Sequence, residues 1–212
     1  MLKKQLLKLF IMLNSFSADM IRHLATSLNG GLSPKHRLMD YHQFFIDNIN
    51  TNDVVLDIGC GNGFVSYDIS KKAKTVIGVD MNKKNIGKAK VDFANNNISY
   101  INADATTYDF REKFDVIVLS NVLEHIEDRI SFLEKIKKLA PKILIRVPMI
   151  DRDWLTLYKK ELGMEWRLDS THFTEYTIES FTNEMTAARL EITDCTIKFG
   201  EIWAVVINKQ LL

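Results

Sequence analysis

VVLDIGCGNGFVSYDIS, residues Val54–Ser70, sets three glycines within five residues directly behind an apolar, β-branched run. The run reads as a buried strand and the glycines as a bend that lets backbone N–H groups approach a ligand, with a helix to follow. Two familiar phosphate-binding bends do not fit. A dinucleotide G-x-G-x-x-G would put its third glycine at position 64, where Phe64 stands, and no Gly-Lys-Ser/Thr follows for a P-loop. Asp57 closes the strand and is expected to point toward whatever lies over the bend, where its charge opposes a pyrophosphate and suits an ammonium group. TVIGVDMN ends a second strand with Asp80, about as far downstream as an acid that grips ribose hydroxyls. A ligand with a ribose and a cationic end but no phosphate meets all three conditions, and S-adenosylmethionine answers that description.

Outward from the bend, strand and helix alternate. Short β-branched runs fall at Val54–Ile58, Thr75–Val79, Ile98–Asn102, Phe114–Leu119 and Lys142–Val147. Helical spacing occupies Lys83–Asn95 and Asp128–Leu139, the latter with Asp128 as N-cap and Pro141 as its stop. Thr177 caps a further helix, and Glu191–Lys198 and Ile202–Asn208 close the chain as a tight hairpin with Gly200 and Glu201 near its junction. The expected architecture is α/β: a Rossmann-like, doubly wound sheet of seven strands, five of them parallel, with a C-terminal antiparallel hairpin. One domain over residues 1–212 is expected, with residues 1–50 as an N-terminal helical cap and 149–176 as an insertion covering the substrate.

With VLDIGCGNG, VIGVDMN, INADAT and FDVIVLSNVLEHIED at the ends of successive strands, the chain resembles the class I S-adenosylmethionine-dependent methyltransferases, in the broad group acting on small molecules and quinones. The resemblance covers about residues 50–210. It implies that Asp57 and the backbone of Gly59 and Gly61 hold the methionine end of the cofactor. Asp80 would take the ribose hydroxyls, Met81 would lie against the adenine, Asp104 beside Ala105 would receive the adenine amino group, and Asn121 would touch the methionine portion through its backbone. A non-catalytic, cofactor-binding subunit or scaffold is the alternative; a nicotinamide-dependent dehydrogenase fails on Phe64 and Asp57.

Several chemistries are disfavoured. The Asn/Asp-Pro-Pro-aromatic turn of amino-group methylases is replaced by SNVLEH, Ser120–His125. Neither Cys60 nor Cys195 is placed as a nucleophile, and no acidic cluster announces a catalytic metal. Transfer to oxygen needs a proton removed; His125, behind the fourth strand, and His172, in DSTHFTEYT, are the two candidate bases, each weighed against a merely structural loop histidine. Lys35 or Arg37 could meet the cofactor carboxylate. Within the insertion Trp154, Tyr158 and Trp166 offer apolar area and Arg152, Lys159, Lys160 and Arg167 positive charge, suiting an anionic small-molecule, glycan or lipid-linked acceptor.

The formal net charge of +1 supplies no field for nucleic acid, and the two cysteines form no CxxC pair, which fits a reducing cytoplasm. The opening MLKKQLLKLFIMLNSFSADM loosely mimics a signal peptide, but Lys8 interrupts an apolar stretch too short to span a bilayer. A helix packed on the domain is the expectation, with a weak membrane-surface contact through residues 1–20 as the second reading. Oligomeric state is not legible.

Overall fold

The computed structural model describes residues 2–211. Adjacent residues of a strand face opposite sides of a sheet, and here both sides are buried: Val55 and Leu56 are each fully covered, as are Ile143, Leu144 and Ile145. Strands of this kind are stable only when helices cover both faces, which the crossovers of a parallel sheet provide.

The parallel strands are β1 (Val54–Ile58), β2 (Thr75–Asp80), β3 (Ile98–Asn102), β4 (Val116–Ser120) and β5 (Lys142–Pro148). The antiparallel pair β6 (Glu191–Lys198) and β7 (Glu201–Ile207) completes a seven-stranded sheet in the order β3-β2-β1-β4-β5-β7-β6. Val55 is in register with Val76 on one side and Val116 on the other. The hairpin turn lies one residue earlier than the sequence suggests: Phe199 and Gly200 both take left-handed φ, as a two-residue turn between twisted strands requires, and Glu201 already belongs to β7.

Three N-terminal helices, α1 (Leu2–Leu28), α2 (Lys35–Met39) and α3 (Tyr41–Asp47), precede the sheet. Then α4 (Phe64–Ser70), α5 (Lys83–Asp92), α6 (Arg129–Ile136) and α7 (Trp154–Glu161) come after β1, β2, β4 and β5, and α8 (Ile178–Ala187) comes between α7 and β6. On one face Leu56, Ile117 and Leu119 meet Leu133 of α6 and Phe181 of α8; on the other Val55, Val76 and Leu144 meet Phe45 of α3 and Ile69 of α4. Each such fully buried side chain contributes roughly 1.5–3 kcal/mol. Asp128 caps α6 as expected, accepting from Ser131 N, and Thr177 and Ser180 form a reciprocal capping box on α8.

Two expectations need correction. The N-terminal segment does not pack on the domain along its length: α2 and α3 do, through Met39, Tyr41 and Phe45, but Ile11 is the one buried residue of α1. The interval 149–176 contains a helix, α7, that its sequence did not announce. Its two ends are pinned together beside β5, where Tyr176 N donates to Pro148 O at 3.0 Å and Ile150 N to Tyr176 O at 2.9 Å.

Candidate active site

Strand order reverses between β1 and β4, so the crossovers leaving them run in opposite directions and open a crevice beyond their C-terminal ends. Ligands of open α/β sheets bind at such a point. The crevice has a volume of about 830 Å³. Gly59, Asp80, Met81, Asp104, Ala105, Asn121 and His125 all line it, from four successive strand ends.

The glycine bend is shaped by contact. Gly59 has φ +70°, and a Cβ there would lie 2.6 Å from Val122 Cγ2, so neither the conformation nor the space admits a side chain. Asp80 fixes the bend from the neighbouring strand: Oδ2 accepts from Gly61 N at 2.9 Å and Oδ1 from Asn82 N at 2.7 Å. Asp104 Oδ1 accepts from Thr106 N at 2.9 Å and its hydroxyl at 2.7 Å, holding a turn that Lys135 braces by donating to the carbonyls of Ala105, Thr106 and Tyr108. Asn121 is a non-glycine residue at φ +57°, and its buried Oδ1 has no partner. A costly backbone conformation and an orphaned acceptor coincide at one crevice residue.

Asp57 is almost completely buried and is absent from the crevice wall; Ser66 of α4 donates to its Oδ2 at 2.5 Å. Burial pushes its pKa up to about 7, against the pull of the Ser66 hydrogen bond. Asp57 thereby ties β1 to α4. Gly61 also lies off the crevice wall, its N–H spent on Asp80.

The two candidate histidines meet. Phe173 N donates to Glu124 O at 2.8 Å, and the ring centroids of His125 and His172 lie 4.6 Å apart, edge to face. His125 is on the wall of the crevice; its Nδ1 lies 2.9 Å from the Thr171 hydroxyl. Burial, helped by His172, lowers its pKa. His172 is buried behind it, with Nδ1 2.9 Å from Glu175 Oε1. Glu175 in turn pairs with Arg152, which also donates to the carbonyls of Met149 and Trp166. Arg152 therefore staples the insertion internally instead of offering charge to a substrate, and Arg167, bonded to Glu165 and to His172 O, does likewise.

Glu124 is the residue that sequence reading passed over. It is fully buried, neither carboxylate oxygen has a partner, and burial raises its pKa to about 8. One donor atom each from Glu124, His125 and His172 lies within 4.8 Å of the others, so the fold assembles a cation-competent cluster that the sequence did not suggest. The adjacency of Glu124 and His125 was the available signal; the third member comes from a distant loop.

A last polar group sits at the ends of β4, β5 and β7. Arg146 Nε and Nη2 engage Glu201 at 2.5 and 2.9 Å, Nη1 reaches Ser120 Oγ at 3.2 Å, and the guanidinium stacks 3.7 Å from the Tyr41 ring centre. Lys35 opens α2, and partial burial lowers its pKa.

The strand order and the switch-point crevice define a class I S-adenosylmethionine-dependent methyltransferase fold. Residues 33–194 match the model of the methyltransferase domain family, and the chain belongs to that family. Among curated relatives, the ubiquinone biosynthesis O-methyltransferase of Rhodopseudomonas palustris is 32% identical over 149 residues, covering 66% of this chain and 59% of that protein. The enzyme of the same name from Bradyrhizobium diazoefficiens is 33% identical over 167 residues, covering 74% and 65%. The chain thus spans about three fifths of the length of these relatives. Among solved structures, magnesium protoporphyrin IX methyltransferase of Synechocystis with bound S-adenosylhomocysteine has a TM-score of 0.64 at 17% identity, covering 82% of this chain and 83% of that one. The N-methyltransferase NodS of Bradyrhizobium japonicum has a TM-score of 0.61 at 17% identity, covering 81% and 87%. At these identities the two structures speak to fold.

Proposed function

We propose that the chain transfers a methyl group from S-adenosylmethionine to a hydroxyl oxygen of a small or lipid-linked acceptor. The observation that carries this reading is the convergence of Asp80, Asp104, Asn121 and His125 on one crevice. The relatives' names support oxygen as the receiving atom.

The cofactor's electrophilic methyl sits on a sulfonium sulfur, and its displacement leaves a neutral thioether. The chain's residues divide the remaining work. Asp80 is placed to accept from the ribose hydroxyls, its backbone duties leaving lone pairs free. Asp104 and Ala105 border the adenine end, with the exposed Met81 against the ring. The left-handed turn at Asn121 would bring its backbone to the methionine portion. His125 accepts the acceptor's hydroxyl proton, and His172, locked by Glu175, positions it.

A second reading of the acceptor side has its own observation. The unpartnered carboxylate of Glu124 beside His125 and His172 suits a divalent cation, which would bind the acceptor oxygen and lower its pKa. Purified protein given methyl-labelled S-adenosylmethionine and fractionated extract tests both readings. Label entering a hydroxyl of a small molecule or lipid supports the proposal, and its loss on dialysis against chelator, restored by a divalent ion, supports the second reading. Cofactor binding without any transfer would leave the non-catalytic subunit in its place.

A further inference from the structure

The feature that methyl transfer leaves unexplained is α1. It is 27 residues long, about 40 Å at the α-helical rise. Its attachment to the domain is narrow: Ile11 is buried, and Ser15 Oγ accepts from Lys159 Nζ of α7 at 2.9 Å. On another arc of the helix Leu6, Leu9, Leu13, Phe16, Met20 and Leu24 recur at three- and four-residue steps, and each is at least 41% exposed. Phe10 and Ile21 widen the stripe, at 65% and 67% exposure. A continuous apolar face of this length turned to water marks an interaction surface.

We infer that this face of α1 lies in the surface of an anionic lipid bilayer. The charges select that occupant. Lys3, Lys4 and Lys8 crowd the first turns, with no acid before Asp19, which is already paired with Arg22 at 3.1 Å. A parallel second copy of the helix would set lysine against lysine, and an antiparallel one would set the lysines against the Arg22–Asp19 pair, which has no net charge to answer theirs. Anionic headgroups complement the three lysines, while the acyl boundary takes the leucines and phenylalanines. No helix among the described residues is long and apolar enough to cross a membrane, so α1 lies along the surface. This inference rests on α1 alone and stands or falls independently of the methyl-transfer reading.

Flotation of the full chain with phosphatidylcholine vesicles, with and without phosphatidylglycerol, tests it. The protein is expected to float with the anionic vesicles and much less with pure phosphatidylcholine. Phe10→Glu with Phe16→Glu, both at exposed positions, should abolish flotation while leaving the thermal melt and adenosylhomocysteine binding unchanged. Lys3→Glu with Lys4→Glu should weaken flotation about tenfold or more on the anionic vesicles. Wild-type protein remaining at the bottom of the anionic gradient would overturn the inference, as would equal flotation of the Phe10→Glu/Phe16→Glu variant. So would sedimentation showing a dimer that this variant disperses, which would give the face to a second copy.

Discussion

The main-chain N–H of Phe173 donates to the carbonyl of Glu124 at 2.8 Å, and through this bond a loop beyond the fifth strand is laid against the turn beyond the fourth. It sets His172 directly behind His125, which neither motif could foretell. Replacing His125 by Gln is expected to lower kcat about 10²–10⁴-fold with little change in cofactor affinity. His172→Asn should have a smaller effect on kcat. It should also move the acid limb of the pH–rate profile upward, because His172 contributes to lowering the pKa of His125. Steady-state kinetics of both variants from pH 5 to 8 checks this, and equal losses with an unmoved limb would contradict it.

Asp80 builds the glycine bend and, on the proposed function, also binds the ribose. Asp80→Ala is expected to weaken adenosylhomocysteine binding by about 2 kcal/mol or more, roughly 30-fold, since charge-assisted bonds are lost and the bend is released from Gly61 N. Asp80→Asn keeps an acceptor for Gly61 or Asn82 and should lose less. Calorimetry on the pair separates the two roles.

Crowding at Gly59 and open space at Gly61 make a matched comparison. Gly59→Ala meets Val122 Cγ2 at 2.6 Å and a φ of +70°, whereas Gly61→Ala meets nothing within 4 Å at a φ of +55°. Gly61→Ala should cost about 1 kcal/mol from the left-handed backbone, and Gly59→Ala about 1–3 kcal/mol more from overpacking. Urea midpoints at constant m-value give both numbers.

Acid sensitivity should come in part from the α2–α3 junction. His36, with Nδ1 2.5 Å from the Tyr41 hydroxyl, has its pKa lowered by burial, and then by His42, to about 4. The unfolded chain binds a proton near pH 6.5 that the folded one refuses, so stability falls as pH drops from 6.5 toward about 4. His36→Asn, which retains a hydrogen-bonding side chain, should flatten the dependence of Tm on pH across that window. An unchanged slope would place the sensitivity elsewhere.

What the sequence made legible follows from chain-local physics. Strands buried on both faces read as β-branched runs and the bend reads as glycine, so the sheet, and the place of Asp80 on the crevice wall, could be found without coordinates. The bond from Ser66 to Asp57 could not, because it forms only once α4 has folded back. Nor could the burial of Glu124 or the internal use of Arg152, which depend on a loop returning from beyond β5. The N-terminal segment read as a helix packed on the domain; that most of its apolar side chains turn outward is a tertiary fact.

The central claim is that the crevice beyond β1, β2 and β4 holds a phosphate-free, cationic nucleoside. A crystal structure of the protein with adenosylhomocysteine tests it most directly. The account predicts the ribose hydroxyls on the Asp80 carboxylate, the adenine between Met81 and Ala105, and the amino-acid end beside Gly59 and Asn121. Ligand bound elsewhere, or a crevice left empty at saturating adenosylhomocysteine, would contradict it.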